Sequence, residues 1–405
     1  MKIAFIVIEF PRLSESFILD QVVGLLDMGH DVEIFAEYQS KEKKIHPDVE
    51  KYSLDKRVKY SNPPQNKFMR ILKAIYLIFT NFHKSPIKIM RSLNVFRYGK
   101  LALSLRLLFR LVTFIDTNFD IIHCHFGPNG ILGVYLKEIG IKGKIITTFH
   151  GYDMSSIIAN EGRNAYERLF LKGDLFLPIS KFWKRKLIEL NCEEEKIMVH
   201  RMGIDLEKFR YSERKIRSGD PIIVLTVGRL AEKKGYEYSI QAIAKVIAHK
   251  KNLIYWVGGD GPLRDELETM ASELGIENHV KFFGAINRDE ALKLYQQAHI
   301  FVLASATTDD GDQEGIPVVL MEAQASGLPV VSTYHSGIPE GVLDGESGFL
   351  VPEKDTDAIA ERIEYLVEHP ELWSGMGRKG RIFIEKNYNS KILSRELEEL
   401  FRSIN

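Results

Sequence analysis

Cysteine is scarce in this sequence, with Cys124 and Cys192 the two examples among 405 residues. Secreted domains held together by disulfides carry more, so we expect a reducing compartment. Long hydrophobic runs are also missing, since no window approaches the roughly 18 uncharged apolar residues of a membrane-spanning helix. The apolar run Ile3–Ile8 stops at Glu9 without a small-residue cleavage site, which predicts a buried first strand rather than a signal peptide.

Acidic residues are absent from one long segment. From Lys56 to Ile115, here called the basic stretch, the chain has no Asp or Glu but thirteen Lys or Arg. The whole chain balances 55 bases against 55 acids, so the remainder carries 42 bases and a net charge of −13. The bases are interleaved with apolar residues such as Phe68, Ile75 and Leu108, as in helices that lie on anionic membranes. Helices packed over a sheet are the alternative, and no nucleic-acid-binding motif accompanies the bases.

The remaining composition is that of a globular protein with a large core: 45% of the residues are hydrophobic, with 30 Gly and 14 Pro. The length suggests two domains. Strand and helix patterns alternate from residue 2 to about 205 and begin again at Pro221, as in doubly wound parallel sheets. We therefore predict an α/β fold of two Rossmann-like domains, residues 1–205 and 206–388. The basic stretch is inserted as two or three helices, and a terminal helix at 389–405 packs back on the first domain.

The most informative segment is Glu314-Gly315-Ile316-Pro317-Val318-Val319-Leu320-Met321-Glu322, which follows a predicted strand at 300–304. Ligands of doubly wound sheets bind outside the carboxyl ends of the strands, so the active site is expected in a cleft between the two domains. Gly315 lets the backbone approach a ligand, and the free amides of a helix that begins near Pro317 favour an anion. Two carboxylates there suit the hydroxyl groups of a sugar and a ribose. An ordinary capped helix with acidic residues is the alternative.

A second segment, Gly228-Arg229-Leu230-Ala231-Glu232-Lys233-Lys234-Gly235, follows the first strand of the second domain. Phosphate groups bind at this position in nucleotide-binding sheets. Arg229 offers a fork of donors to phosphate oxygens and Lys234 a point charge. A solvated basic turn before the next helix would have the same sequence, so this segment alone leaves both interpretations open.

Histidines end two strands of the first domain. His150, within Thr147–Asp153, precedes a glycine at a strand terminus and is predicted to face the cleft, with a structural histidine as the alternative. His123 and His125 form an H-x-H pair, but no neighbouring Cys, Asp or Glu completes a set of metal ligands. The acidic run 309–312 could hold a divalent ion. The nearby basic groups would already neutralise a bound diphosphate, however, so no ion is required there. We predict no metal site.

Together these segments resemble the family 4 retaining glycosyltransferases, which have the GT-B fold. Further segments that carry the resemblance between Val199 and Pro352 are Gly259-Asp260-Gly261-Pro262, Ser336-Gly337-Ile338-Pro339-Glu340 and Gly348-Phe349-Leu350-Val351-Pro352. The opening Glu9–Phe17 and the segment Asp310–Pro317 resemble the branch that contains the colanic-acid and related exopolysaccharide glycosyltransferases. Many members have a glycine-rich loop after the first strand. Here the loop Phe10–Ser16 has no glycine, so the role of that loop is not carried over.

The resemblance implies roles for most of the candidate residues. The implied roles are diphosphate binding for Arg229 and Lys234, ribose binding for Glu322, donor-sugar binding for Glu314 with the amides of Gly315 and Ile316, and donor-sugar contact from the first domain for His150. Apart from the resemblance, we expect Gly284 beside the base and Ser14, Glu15 and Asp153 on the acceptor side. The residues predicted to be catalytic are His150, Glu314, Arg229 and Lys234.

The implied reaction moves a sugar from a UDP- or GDP-sugar to a saccharide acceptor, with retention of configuration and with neither metal nor further cofactor. No carboxylate is placed as a nucleophile, which favours front-face substitution. The expected partners are the nucleotide sugar, an acceptor on a lipid diphosphate carrier and, through residues 56–115, the anionic inner face of the cytoplasmic membrane. A GT-B sugar phosphorylase, a nucleotide-sugar epimerase and a non-catalytic membrane-associated scaffold are the alternatives.

Overall fold

The computed structural model describes residues 1–42 and 45–404, apart from the side chain of Ser14. The strands of the first half are β1 Lys2–Phe10, β2 Asp31–Gln39, β3 Val58–Tyr60, β4 Ile121–His125, β5 Lys144–Phe149 and β6 Leu175–Pro178. Those of the second half are β7 Ile222–Val227, β8 Leu253–Gly258, β9 Val280–Phe282, β10 Ile300–Leu303, β11 Val330–Thr333 and β12 Gly348–Val351. They form two parallel six-stranded sheets, ordered β3-β2-β1-β4-β5-β6 and β12-β11-β10-β7-β8-β9. Both sheets have the doubly wound order, and the predicted α/β class is confirmed.

Each sheet is apolar on both faces because helices cover both sides. Every residue of β4 and of β10 is buried. Alternate residues of a strand point to opposite faces. In β1, Ile3 and Phe5 therefore pack in one core cluster, and Ala4 and Ile6 pack in another on the opposite face.

Helices of the first half begin and end at recognisable signals. They are α1 Ser16–Asp27, α2 Pro47–Lys51, α3 Lys67–Asn81, α4 Pro86–Ser92, α5 Val95–Leu103, α6 Arg106–Phe114, α7 Gly127–Ile139, α8 Ser156–Glu161, α9 Glu167–Lys172 and α10 Lys181–Glu189. Short 3-10 helices lie at Leu13–Glu15, Leu54–Lys56 and Glu194–Lys196. Asn66, for example, caps α3 by accepting from two backbone amides, and Gly140, with φ of +119°, ends α7.

The second half repeats the alternation of strand and helix. Its helices are α11 Tyr236–His249, α12 Arg264–Glu273, α13 Arg288–Gln297, α14 Val318–Ala325, α15 Thr356–Glu368, α16 Leu372–Asn387 and α17 Ser390–Ile404, with 3-10 helices at Glu232–Lys234 and Ile338–Glu340. The helix predicted to begin near Pro317 begins at Val318. Pro317 is its N-cap, with φ of −62° and ψ of +119°, so the amides of the preceding residues remain outside the helix.

The basic stretch differs most from its prediction. Two or three helices were expected, whereas α3, α4, α5 and α6 all lie within it. The strand β3 precedes them and pairs with β2, so part of the stretch completes the first sheet. The buried side chains of α6, among them Leu107, Leu108 and Leu111, cover that sheet.

The helix α3 is the opposite case, because Ala74 alone among its described side chains is buried. Its exposed large apolar residues, here called the α3 apolar face, are Phe68, Met69, Ile71, Leu72, Ile75, Tyr76 and Phe79. At helical spacing these residues make one continuous side of the helix. Phe96 on α5 is also fully exposed. No helix among the described residues is both long enough and apolar enough to cross a membrane.

The chain passes between the two halves twice. The first passage is the segment 203–221, and the second comes just before α17, which packs on α1 through Leu397 and Phe401. The two passages are hydrogen-bonded: Ile204 N donates to Tyr388 O at 2.9 Å, and Ser390 N donates to Ile204 O at 3.0 Å. We call this pair of segments the double hinge. The domain boundaries at 205 and 388 stay predictions.

Candidate functional site

Glu314 and the turn that precedes α11 meet at the carboxyl end of the second sheet. Glu314 is 8% exposed. Its Oε2 lies 3.1 Å from Lys234 Nζ, and its Oε1 lies 3.9 Å from Lys233 Nζ. Burial would raise the pKa of Glu314, but the two ammonium groups more than offset it, so the pKa lies below its ordinary value. Glu314 is therefore a buried carboxylate that stays ionised.

The lysine turn is held against the end of β10. Ala306 N donates to Lys233 O at 3.1 Å. Gly235 has φ of +63°, and a Cβ there would lie 1.8 Å from Ala304 O, so the approach requires glycine. Lys233, which the sequence did not single out, also pairs with Asp312 at 3.0 Å. The position of Lys233 next to Lys234 in the sequence is the feature that could have identified it as a site residue.

A second set of bonds fixes the segment that carries Glu314. Its backbone N–H donates to His335 Nε2 at 2.9 Å, and the other ring nitrogen of His335 lies 2.7 Å from Glu353 Oε1. Ser336 Oγ donates to Glu314 O at 2.6 Å. The next two amides, those of Gly315 and Ile316, donate no hydrogen bond to the described residues. The loop is therefore held by hydrogen bonds to two neighbouring side chains and still has two backbone amides without a partner among the described residues.

Glu322 lies one turn into α14 and faces α13 rather than the lysines. It is also 8% exposed. Tyr295 OH donates to its Oε2 at 2.9 Å. Burial raises the pKa of Glu322, and the positive charge of Arg288 and the tyrosine bond offset this only in part. Glu322 and Glu314 thus occupy two separate positions at the same end of the second sheet.

Three glycine loops meet where β7, β8 and β9 end. Gly228 N donates to Gly258 O at 2.9 Å, and Gly259 N donates to Gly284 O at 3.0 Å. A Cβ on Gly259 would lie 1.9 Å from Gly228 O, so these loops pack backbone to backbone. Arg229 follows Gly228, is exposed and makes no side-chain bond to the described residues. A Cβ on Gly228 would lie 3.7 Å from Lys234 Cε, so Arg229 directly follows a residue that packs against the paired Lys234. We call Arg229, Lys233, Lys234 and Glu314 the charged wall.

The facing surface of the first half is made of uncharged rings. His150 Nε2 lies 3.0 Å from His125 Nδ1. The His150 ring also contacts the rings of Phe17 and Phe126, with centroids 4.8 and 4.5 Å apart. Burial lowers the pKa of His150 to about 3, so the ring is neutral at neutral pH. We call these four residues the neutral wall.

The two walls touch at a pair of glycines. A Cβ on Gly315 would lie 2.2 Å from His150 O, and a Cβ on Gly151 would lie 2.8 Å from Gly315 N. Ser155 Oγ accepts from Gln313 N at 3.1 Å. The structure therefore brings together the predicted residues His150, Glu314 and Gly315, which come from different halves of the chain.

Asp153, which was predicted to contact the acceptor, supports the His150 loop in the structure. Its side chain is fully buried, and both oxygens are occupied by backbone amides. Oδ2 accepts from Gly127 N at 2.9 Å, and Oδ1 accepts from His150 N at 2.9 Å and from Gly151 N at 3.0 Å. Burial raises the pKa of Asp153 to about 6, although the three amides act in the opposite direction. Asp153 therefore orients the His150 loop, and its predicted contact with the acceptor stays a prediction.

The loop after β1 forms a small pocket. Glu15 lines it together with Glu9 and Arg12. Arg12 Nη1 donates to Glu15 Oε1 at 3.1 Å. Burial raises the pKa of Glu15 to about 7, against the charge of Arg12 and with help from Glu9 and Glu42. The predicted acceptor residue Ser14 has its side chain outside the described part of the chain, so the role of this loop stays a prediction.

A charge pair that sequence reasoning missed joins the two halves beside Glu322. Arg288 Nη1 and Nη2 donate to the two oxygens of Asp20, both at 3.2 Å. Arg288 Nη1 also donates to His46 Nε2 at 2.9 Å. The pair is separated by 268 residues in the chain, so no local pattern could have indicated it.

The metal candidates have other partners in the structure. His123 Nε2 lies 2.7 Å from Thr148 Oγ1, and Asp312 is bound to Lys233. Over residues 1–42 and 45–404, no group of three or more His, Cys, Asp or Glu side chains is arranged to hold a metal ion.

Two protein-family models together match most of the chain. The model described as "Glycosyltransferase Family 4" matches residues 14–208, and the model described as "Glycosyl transferases group 1" matches residues 207–383. Among curated proteins, the chain is 36% identical to a protein named as a colanic acid biosynthesis glycosyltransferase, WcaL, from Salmonella typhimurium. It is also 36% identical to the amylovoran biosynthesis glycosyltransferase AmsK of Erwinia amylovora. Each alignment covers 100% of both chains.

Solved structures resemble the fold over the full length. HepE of Anabaena, in complex with UDP and glucose, superposes with a TM-score of 0.73 at 17% identity, covering 100% of both chains. WaaG, a glycosyltransferase involved in lipopolysaccharide biosynthesis, superposes with a TM-score of 0.67 at 15% identity, covering 98% of this chain and 99% of the other. These similarities confirm the predicted GT-B fold.

Proposed function

Because the chain belongs to glycosyltransferase family 4, as its sequence predicted, we propose that it transfers a sugar, with retention, from a UDP- or GDP-sugar to a growing exopolysaccharide. The relatives WcaL and AmsK are named for colanic acid and amylovoran biosynthesis, and the neighbour HepE is titled as a complex with UDP and glucose. These names support the donor and acceptor classes proposed here. Glycosyltransferase activity itself follows from the family.

One observation carries the assignment of the donor-sugar site. Glu314 is ionised and buried, with Oε2 bound to Lys234 and Oε1 buried without a hydrogen-bond partner among the described residues. Such an oxygen requires a donor, and a sugar hydroxyl supplies one. The free amides of Gly315 and Ile316 lie beside it and suit the oxygens of the same ligand.

The charged wall has the properties that the leaving group needs. The bond between the anomeric carbon and the diphosphate oxygen breaks while the acceptor oxygen bonds to the same face of that carbon. The acceptor proton passes to the departing diphosphate. Negative charge therefore develops on the diphosphate, where Arg229 and Lys234 would stabilise it. Lys234 has three N–H donors, so its bond to Glu314 leaves two for phosphate oxygens.

The ribose would bind at Glu322, which faces α13 and not the lysines of the charged wall. Tyr295 occupies one oxygen of Glu322, which leaves the second oxygen for a ribose hydroxyl. Gly284, with φ of +72° and open space around it, would lie beside the base at the end of β9. His150 would contact the sugar from the neutral wall.

The first test is binding of a panel of nucleotides and nucleotide sugars, measured by ligand-observed NMR. We expect selective binding of UDP- or GDP-compounds that weakens by about tenfold in Glu322→Gln, since a hydrogen bond to a charged carboxylate is replaced by one to a neutral amide. The matched control is Glu361→Gln, whose carboxylate is 72% exposed on α15. Equal binding by both variants would overturn the ribose assignment.

Retention and metal independence need a turnover assay. We expect an α-linked donor to give an α-linked product, read from the anomeric proton coupling, and an unchanged rate after treatment with EDTA. An inverted product, or activity that requires a divalent ion, would contradict the proposed chemistry. Comparison of a lipid-diphosphate-linked acceptor with the free saccharide tests the carrier.

We also propose that the enzyme works at the inner face of the cytoplasmic membrane and binds it through residues 56–115. The α3 apolar face is exposed, and the surrounding stretch carries thirteen bases and no acid. Apolar burial and attraction to anionic lipid together give reversible binding at a membrane surface.

Co-sedimentation with vesicles that contain anionic lipid tests this surface. We expect binding that weakens with salt and is lost when Ile75 and Phe79 are both changed to Ser. Ile382→Ser on α16 removes an equally exposed apolar side chain, 58% exposed, from the other half of the chain and should bind as wild type does. No binding of the wild type at low salt would end the proposal.

A further inference from the structure

The H-x-H pair at the end of β4 is not explained by donor binding alone. His125 is fully buried, and its Nδ1 lies 3.0 Å from Nε2 of His150. The two ring planes are 23° apart, with centroids separated by 5.2 Å. Nearly coplanar rings at that separation meet edge to edge, which is the geometry of a direct hydrogen bond between them. One of the two rings must therefore supply the hydrogen.

The surroundings decide which ring donates. Burial lowers the pKa of both histidines, so each ring is neutral and carries one N–H. The remaining nitrogen of His125, Nε2, is buried without a hydrogen-bond partner among the described residues. If His150 donated, that nitrogen would bear an unpaired buried N–H. If His125 donates through Nδ1, its Nε2 carries only a lone pair. A buried lone pair without a partner costs less free energy than a buried N–H without one.

We propose that His125 is a positioning residue: it donates Nδ1–H to Nε2 of His150 and so fixes the tautomer in which His150 carries its hydrogen on Nδ1. Phe17 and Phe126 hold the His150 ring in place, and its Nδ1 makes no hydrogen bond to the described residues. His150 then offers the donor sugar a hydrogen-bond donor, and the matching group on the sugar is a hydroxyl oxygen that accepts. This last step rests on the proposed function.

The tautomer can be measured without any substrate. Histidine-selective ¹⁵N labelling of the full chain and long-range ¹H–¹⁵N spectra near neutral pH identify which nitrogen of each ring is protonated. The signals of His125 and His150 are assigned by their loss in His125→Phe and His150→Gln. We expect Nδ1–H in both rings. A hydrogen on Nε2 of His150 would overturn the proposal, even if the enzyme proves to be a glycosyltransferase as proposed.

Two substitutions at His125 test the consequence for turnover. His125→Asn keeps an N–H near the position of Nδ1, and His125→Phe fills the space without a donor. We expect kcat/KM to fall by about 10- to 100-fold in the Phe variant and by about fivefold or less in the Asn variant. The His150 spectrum should show mixed tautomers in the Phe variant and the wild-type tautomer in the Asn variant. Equal losses in the two variants would overturn the role, and if the Phe variant does not fold, the wild-type spectrum still decides.

Discussion

The two walls that meet between the sheets differ in charge more than in burial. On the charged wall, Glu314 and Lys234 are both largely buried and both ionised, 3.1 Å apart. On the neutral wall, His125 is buried and His150 is partly exposed, both rings are uncharged, and Phe17 packs against His150. Diphosphate charge has to be stabilised from one side, whereas a sugar needs only to be held. Under the proposed function, the second half of the chain would lower the barrier and the first half would set the position of the sugar.

The largest expected effect comes from removing charge from the charged wall. Lys234→Ala and Arg229→Ala should each lower turnover at least about 100-fold, because under the proposed function each removes a donor that would stabilise the leaving diphosphate. Lys379→Ala is the matched control, since Lys379 is 57% exposed on α16 and pairs with Glu346 at 3.2 Å, outside the charged wall. Initial rates with saturating donor measure all three. Near-wild-type rates for Lys234→Ala would refute the division between the walls.

Glu314 and Glu322, both in the second half, should respond differently to the removal of their charge. Glu314→Gln should lower the free energy of unfolding by about 2 to 3 kcal/mol, because it leaves the buried Lys234 without a partner. Glu322→Gln should leave it unchanged or raise it, because burial already disfavours that charge. Urea unfolding at neutral pH measures both. Equal destabilisation by the two variants would contradict the opposite directions of their pKa shifts.

The same two residues predict opposite contributions to the pH dependence of stability. The contribution of Glu314 is complete above the ordinary pKa of 4.5 and is lost as the pH falls through its lowered value. The cost of ionised Glu322 is relieved as the pH falls through its raised value and is absent below 4.5. Repeating the unfolding of each Gln variant and the wild type at several pH values separates the two contributions.

Substitution of Asp153, which holds the His150 loop, should disturb the neutral wall without changing any of its four residues. Asp153→Asn should lower the free energy of unfolding by about 1 to 2 kcal/mol, because an amide oxygen cannot serve three backbone N–H groups and its NH2 would face one of them. Turnover should fall as well, since the His150 loop loses its orientation. Asp116→Asn, at a carboxylate that is 64% exposed, is the control and should change neither.

The smallest expected effect lies at the seam between the halves. Asp20→Asn removes the charge that holds Arg288, but Arg288 becomes hydrated when the halves separate, so the cost is limited. We expect about a threefold rise in the donor KM, with kcat unchanged. Small-angle scattering should show a larger radius of gyration in the absence of ligand. A fall in kcat alone would mean that the pair acts in the chemical step.

Strands and helices could be predicted where apolar residues repeat at regular spacing, and could not be predicted where tertiary packing outweighs local propensity. The strands predicted at 3–8 and at 300–304 are β1 and β10, with ends that differ by at most two residues. The helix α16 was not predicted, because it contains three glycines, which have low helix propensity. One of them, Gly377, is required by contact with its neighbour, since a Cβ there would lie 2.1 Å from Gly327 O.

Residues of the candidate site could be predicted from the sequence where they lie together in one contiguous motif. Arg229, Lys234 and Glu314 stand in contiguous motifs with an obvious charge, whereas the roles of Asp153 and His125 depend on which atoms they meet after folding. The pair Asp20–Arg288 lies beyond any sequence pattern. Buried neutral groups leave less trace in a sequence than charged motifs do.

The double hinge restricts how the two halves can move. A single connecting segment would act as a swivel, free to turn about its own axis and to tilt in any direction. Two segments tied side by side by the backbone bonds of Ile204 allow opening about the line that joins them and resist twist and sideways slip. The walls would then separate and return along one arc, with His150 and Glu314 meeting in the same alignment at each turnover. Alignment of the reacting groups would thus be a mechanical property of the connection, held at a distance from the chemistry.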